Sequence, residues 1–523
     1  MQRRRTPVAL AVDEGRADAR VAWGGALVNY YAQVAPAAAK APTWLKPTPG
    51  TRVFADLDDT KLLGLTQFNG AVIAATRRGL FRIEAGGTSE QIGDDAFRGP
   101  VRFASNGTTL VLTDGARIFK YEADASGALV VSELAGPDIQ PSPTVAFFQG
   151  YFVFPDGASP TGRWYYSDLY STEVDGLNFA TAEQVPDPLL AIVPNGDFLF
   201  LFGTDSTEVW YNVGGAGVPF ARQQGARSDI GIASSYCAAK LTDTLVWLGN
   251  DGIVYAARGL QPQRISTPTI EDAIARQRLG SATAFAHQIA GHEFYQLTLE
   301  SADPDDTDGA RTWVFDLMTG LWHQRSTLGI GRHIADGFVD AFGKRLVGDA
   351  TSGRVLEWVD DLGDDVGKPI AREVYVQPLH RNRIDLRFDA LEFEIDPAGL
   401  FVEPQQDNDA APTPLLPPIN LSATDANIVR LAWADVNGGT NQEIGHAVYR
   451  STSPFEETGL PQPLGVTGQD IVTFIDQTAV PDVTYYYRVS ALRGQEEAVS
   501  SLIVFTPSGG YGFRYGLTYG TRT

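Results

Sequence analysis

Leu65-Thr66-Gln67-Phe68-Asn69-Gly70-Ala71-Val72-Ile73-Ala74-Ala75-Thr76-Arg77-Arg78-Gly79-Leu80-Phe81-Arg82-Ile83 is the stretch on which the fold turns. It reads as strand, Asn-Gly turn, apolar strand, Arg-Gly turn and third strand. Asn-Gly between two strands is a strong hairpin signal, because both residues tolerate the positive φ of a tight turn. The unit then recurs in degenerate form. Val101-Arg102-Phe103 leads through Asn106-Gly107 to Leu110-Val111-Leu112, Asp114-Gly115 and Ile118 to Tyr121. Val145 to Phe148 turns at Gln149-Gly150 into Tyr151 to Phe154. Ile192-Val193 turns at Asn195-Gly196 into Phe198 to Phe202 and Glu208 to Tyr211. Further units turn near Asp243, Gly291 and Gly343, with outer strands at Ile253 to Tyr255, Thr312 to Phe315 and Val355 to Trp358.

These turns lie roughly 37 to 52 residues apart, near the period of a propeller blade of four short strands. The expected fold is therefore all-β, with a six- or seven-bladed β-propeller over 60–370. A terminal unit shared between the two ends of the propeller would close the ring and remove its free sheet edges. An irregular β-sandwich fits the regular period less well. The segment 1–59 is read as an N-terminal arm and propeller-closing piece.

Composition narrows the function. With 41 Lys+Arg against 63 Asp+Glu the chain carries −22, which argues against a general nucleic-acid-binding surface. It does not exclude a surface past which DNA slides without sticking. Cys237 is the one cysteine, so neither an intrachain disulfide nor a thiolate zinc cluster is expected. Fifty-four Gly and 31 Pro suit a turn-rich chain without long helices. The opening Arg3-Arg4-Arg5 and Val8 to Val12 superficially suggest a signal peptide, but the apolar run stops at Asp13-Glu14. A basic tail able to dock on an acidic partner is the preferred reading. No run approaches the roughly 20 apolar residues that span a bilayer, so no membrane insertion by this chain is expected.

Beyond the propeller, Arg383 to Phe388 and Leu391 to Ile395 alternate like a half-exposed β-hairpin, assigned to 371–402. A Pro-rich linker follows at 403–418. Within 419–507, Val429-Arg430-Leu431-Ala432-Trp433, His446 to Arg450 and Pro481 to Ala491 resemble a fibronectin type III β-sandwich. Tyr485 matches the tyrosine corner of that family and Trp433 its strand-B core residue; Ala479 stands in place of the usual leucine. A Gly/aromatic tail occupies 508–523.

Longer strings resemble the packaged-DNA stabilisation family, the tail hub or nozzle proteins of short-tailed phages. They are Asn29-Tyr30-Tyr31 with Pro47-Thr48-Pro49-Gly50, then Gly203 to Tyr211 with Pro219 to Arg222, and Trp247 to Tyr255 running on to Arg264 to Glu271. In the last, a Ser-Thr cap is expected to open a short helix with Glu271 in its first turns. The resemblance covers roughly 20–396 and departs after Gly399. It implies a structural virion protein of the phage tail, made in the host cytoplasm, forming a hexameric ring below the head-to-tail adaptor. That ring would continue the DNA channel, retain packaged DNA and serve as an attachment platform for tail fibres or spikes. A tail needle is a further possible partner.

Two other readings stay open: a glycosidase-like propeller enzyme, or a propeller adhesion protein with a fibronectin-like spacer. Glycoside hydrolysis needs two carboxylates flanking one bond. Asp168, Asp205, Glu208 and Asp229 are the nominees, read instead as solvated turn or interface residues. Sialidase Asp-boxes, Gly-x-Ser-x-Gly, Walker A and dinucleotide fingerprints do not occur. The histidines His287, His292, His323, His333, His380 and His446 are scattered. Asp303 to Gly309 only loosely resembles a calcium loop, lacking its final Glu. It and the run Asp360-Asp361 with Asp364-Asp365 are read as solvated acidic tips. No catalytic, cofactor-binding or metal residue is assigned, no cofactor is expected, and the chain is read as a non-enzyme.

Overall fold

The computed structural model describes residues 26–34, 43–57, 60–182, 186–215, 217–303, 309–375, 415–425, 429–437, 443–457, 459–469, 471–476, 478–493 and 496–507. Most of the expected hairpin at 371–402, the linker up to 414, the centre of the calcium-like loop and the tail 508–523 lie outside them. The chain divides into two compact units, 1–400 and 401–523.

The deciding stretch forms three strands, Leu62–Phe68, Ala71–Thr76 and Gly79–Ile83, with a fourth at Ser89–Gly93. Asn69 and Gly70 at the first turn have φ of 48° and 73°. The same double positive φ recurs at Gln149-Gly150, Ala290-Gly291 and Phe342-Gly343. Asn106 acts differently: its Oδ1 accepts from the Thr108 and Thr109 amides at 2.9 and 2.7 Å, so the side chain shapes the turn.

Similar antiparallel sheets follow at 102–133, 146–181, 189–222, 238–264, 283–325 and 335–359. Successive four-stranded sheets of this kind are the arrangement of a β-propeller. Three of the second strands, Ala71–Thr76, Leu110–Thr113 and Leu245–Leu248, are buried from end to end, and the other four are buried over most of their length. Sheets packed on both faces leave no polar side to alternate with, so these strands read as continuous apolar runs. Indoles fill the space between sheets; Trp164, Trp247, Trp313 and Trp322 are all fully buried.

The last sheet takes its fourth strand from the start of the unit. Gly50–Asp56 pairs antiparallel with Arg354–Val359. Thr51 Oγ1 donates to Asp365 Oδ1 at 3.1 Å, and Thr327 Oγ1 donates to Asp365 Oδ2 at 2.6 Å. This corrects the reading of the 360–365 acids as uniformly solvated. Asp365 is buried, because its carboxylate satisfies two threonines of neighbouring segments. Ala26–Val28 extends the sixth sheet, parallel to Leu321–Arg325 and antiparallel to Glu373–Tyr375. Asn29, at φ 58°, locks this seam: its Nδ2 donates to the Ser326 and Ala371 carbonyls at 2.8 and 2.7 Å.

Among the described residues the one α-helix is Pro268–Ile274. Thr267 caps it, accepting from the Ile270 amide, and Glu271 lies in its first turn. Glu271 also receives Ser266 Oγ and Arg264 Nε, each at 2.7 Å, as the capped start requires.

The second unit is two sheets over its own core. Ile419–Asp425, Val429–Ala434 and Thr473–Asp476 form one; Gly465–Gly468, Gly445–Ser451, Tyr485–Arg493 and Glu496–Val499 form the other. Ile503–Phe505 also pairs with Tyr485–Arg493. Trp433, Val448, Tyr485 and Tyr487 pack between them.

Candidate functional site in the central channel

The first strand of each sheet in the first unit is the natural place for a propeller's channel. Leu62–Phe68 touches both Arg102–Ser105 of the next sheet and Ala335–Ala341 of the last. Two cavities lie along these first strands. One, of about 250 Å³, is lined by 61–66, 100–103, 283–285 and 336–338. The other, of about 350 Å³, is lined by 102–105, 144–147, 192–194, Ser235 and Ala238. Together their walls draw on all seven sheets, and they share Arg102 and Phe103. At about 30 Å³ per water, each holds on the order of ten waters, which is small-molecule scale and not the width of a duplex.

Arg102 stands where the cavities meet. Its Nη2 donates to the Tyr236 carbonyl at 2.9 Å, and its guanidinium carbon lies 5.1 Å from the Tyr236 ring centre. Tyr236 belongs to the segment entering the fifth sheet, and the same carbonyl accepts from the Ala284 amide at 2.8 Å. Three sheets are thereby tied at one oxygen. Burial pulls the Arg102 guanidinium below its ordinary pKa, and the field of Asp336 opposes that shift. Burial likewise raises the Tyr236 phenol, with Arg102 opposing. Asp336 is itself flanked by Lys61 at 3.6 Å and Arg332 at 3.5 Å.

Asp336 is the one carboxylate among the residues lining these two cavities. Paired-carboxylate hydrolysis asks for a second acid roughly 5 to 9.5 Å away. None of the four nominated acids lines either cavity. Asp168 is exposed and accepts from Asn178 Nδ2 at 2.8 Å; Asp229 is exposed and pairs with Arg227. Asp205 sits exposed at a turn, with Asn250 Nδ2 at 3.5 Å. Glu208 corrects the expectation: it is 2% exposed and accepts from Trp210 Nε1 at 3.0 Å, so it is a packed structural acid.

Four of the histidines, His287, His292, His323 and His333, are packed into the first unit as structural groups. His292 bonds Asp316 Oδ2 at 2.7 Å through Nδ1 and Gln33 Oε1 at 3.0 Å through Nε2. His287 and His333 are buried beside Trp358 and His323 beside Phe294, all three in the field of Arg325, and burial holds all three below the ordinary imidazole value. Cys237 is buried, donates to the Ser234 carbonyl at 3.2 Å and has its thiol pushed up to about 11, which leaves it protonated and unreactive. His380 lies outside the described residues.

Sequence reasoning passed over Arg102, Tyr236 and Asp336. The signal for two of them was a charge inside a first strand, Val101-Arg102-Phe103 and Ala335-Asp336-Gly337, where the other units place apolar or small residues.

A family model described as "Bacteriophage P22 Gp10, beta-propeller" matches residues 20–358. No curated protein matches the chain. Among solved structures, the computationally designed Ika8 protein is similar at 12% identity and TM-score 0.37, over 59% of this chain and all of that one. An ancestral GH74 enzyme is similar at 15% identity and TM-score 0.38, over 64% of this chain and 54% of that chain. The AfRom2 CNH domain is similar at 8% identity and TM-score 0.37, over 59% and 99%.

Proposed function

The chain belongs to the phage stabilisation family described as Bacteriophage P22 Gp10, beta-propeller, and is thus a virion structural protein; from that premise we propose that it is the hub or nozzle of a short tail. The match over 20–358 carries this reading. Its seven sheets are the seven blades, with Gly50–Asp56 as the shared strand that closes the ring. Six copies assemble below the head-to-tail adaptor, and DNA runs between copies. A single chain's own channel is unsuited to that, being divided into small cavities and crossed at Arg102 and Tyr236.

The charge supports a conduit. Six copies carry six times −22, and an acidic wall repels phosphates, so DNA passes without counterion-release binding. The second unit is a fibronectin type III-like module, supported by its three- and five-stranded sheets and by Tyr485, whose hydroxyl accepts from the Val480 amide at 3.0 Å. It serves as an arm for fibres, spikes or cell-surface glycans.

Light scattering of the purified chain with and without the adaptor ring tests the assembly. The expected result is a sixfold complex formed on the adaptor. A chain that stays monomeric at every concentration and ignores the adaptor would overturn the hub reading. Glycan hydrolysis abolished by replacing Asp336 would replace it with the enzyme.

A further inference from the structure

Asp435 follows the strand Val429–Ala434 in the second unit, while Glu443 and His446 sit at the entry to Gly445–Ser451. One ligand atom from each side chain lies within 4.8 Å of the others, and His446 Nε2 is 4.0 Å from Asp435 Oδ1. His446 is 0% exposed and Glu443 1%, with the Trp433 ring 5.3 Å from the imidazole. Asp435 is oriented from behind: its Oδ1 accepts from the Asn437 amide at 3.0 Å and from Asn437 Nδ2 at 3.2 Å.

Drawing two carboxylates together away from water is unfavourable unless a proton or a cation lies between them. A dication balances both charges, and a neutral imidazole adds a third donor. One nitrogen with two carboxylate oxygens is a borderline donor set that suits zinc-like ions; calcium and magnesium favour all-oxygen shells. Zinc bonds of about 2.0–2.2 Å put tetrahedral ligand atoms roughly 3.4 Å apart. The observed spacing of up to 4.8 Å is wider, so the three ligand atoms draw inward when the ion binds. Hydrogen bonds from Asn437 hold its carboxylate as an outer partner holds a metal ligand.

We propose that Asp435, Glu443 and His446 bind a divalent transition-metal ion of the zinc class, with water completing the shell. The ion ties the end of one sheet's strand to the start of the other sheet's strand. The competing arrangement is a metal-free cluster in which His446 and the two acids share protons.

The test uses the full chain, stripped with chelator and titrated with Co2+ and then Zn2+. The site predicts one Co2+ per chain, with the intense visible absorption of a low-symmetry four-coordinate ion, displaced by Zn2+ and indifferent to Mg2+. Asp435→Asn, a shape-conserving change at the partly exposed ligand, should weaken binding by roughly 10- to 100-fold or more. His446→Asn should abolish it, and the thermal transition of each variant checks that it is folded. Failure to take up Co2+ would establish the proton-sharing cluster. Uptake unchanged in a folded Asp435→Asn variant would place the metal elsewhere; either result overturns the proposal.

Discussion

Arg102 Nη2 donates to the carbonyl of Tyr236 at 2.9 Å, which joins the first strand of the second sheet to the entry of the fifth. The bond crosses the middle of the first unit, where the two cavities meet. Arg102→Ala removes a charged donor from that crossing. Hydrogen bonds to charged groups contribute about 1.5–3 kcal/mol, so a loss of about 2 kcal/mol is expected. It should show as a lower urea midpoint at constant slope. An unchanged midpoint would mean that the bridge adds nothing to stability.

Gly348 and Leu62 seat the last sheet against the first. A Cβ on Gly348 would collide with Leu62 Cδ2 and the Asp336 carbonyl oxygen, and Leu62 is 2% exposed. Gly348→Val therefore overpacks the contact that closes the ring. Such substitutions cost about 1–3 kcal/mol and sometimes more. The expected readout is a lower melting temperature that Leu62→Ala, introduced alongside, partly restores. Additive losses in the double variant would refute the coupling.

Acid should loosen the sixth and seventh sheets first. His287 and His333 lie against Trp358, whose ring centre is 4.6 Å from the Arg325 guanidinium carbon, and His323 is buried in the field of the same Arg325. Burial and then Arg325 depress all three imidazoles, His323 to about 3. They stay neutral in the fold but take up protons near 6.5 once unfolded. Stability is thus full above pH 6.5 and falls as the pH drops toward the folded values. At pH 5.5, His323 alone accounts for about 1.4 kcal/mol of the loss. Asp365, raised by burial, works in the opposite sense but nearer the carboxylate range. Melting temperatures measured from pH 7.5 to 5 should fall steadily; a flat profile would contradict this burial.

The sheets were legible because their turns are written in the backbone chemistry of Asn-Gly and X-Gly, and because second strands such as Ala71–Thr76 and Leu245–Leu248 have no polar face. The closing strand Gly50–Asp56 was harder to see. Its pairing with Arg354–Val359 is set by shape at opposite ends of the unit, and only the need to cover a sheet edge suggested it. The acids misled for a similar reason. Glu208 and Asp365 look like solvated charges in sequence, yet each is buried against a partner that only the fold supplies: Trp210 for one, Thr51 and Thr327 for the other. Arg102 was passed over because its partner, Tyr236, comes from a sheet three units away. The sequence shows the lone charge in a first strand but not the carbonyl that receives it.

Asp476 is the polar centre of the second unit. It is 2% exposed and accepts from Tyr487 Oη and Arg450 Nη1, both at 2.7 Å, and from the Thr478 amide at 2.9 Å. Asp476→Ala leaves a buried phenol and a guanidinium without their shared acceptor. Arg450 keeps partial access to water, its side chain being 20% exposed, so the scale is that of lost hydrogen bonds to a charged group, about 1.5–3 kcal/mol. The second unit's thermal transition should fall sharply. Tyr487→Phe, which removes one donor and leaves the carboxylate paired with Arg450, should cost about 1 kcal/mol. Equal effects of the two changes would show that Asp476 is not the hub of the network.

Removal of 404–523 separates the roles proposed for the two units. The second unit's core is drawn from residues between 421 and 505 alone, and the first unit's sheets close through Gly50–Asp56 and Glu373–Tyr375 without them. The truncated chain should therefore keep the melting behaviour of the first unit and still assemble on the adaptor ring. What it should lose is the arm: fibre or spike attachment, and with it adsorption to cells, measured as particles bound per cell. Truncation that abolished assembly would show that the second unit is part of the ring, and the projecting-arm reading would fail. Assembly with undiminished adsorption would equally remove the arm's purpose, leaving receptor contact to partners docked on the first unit.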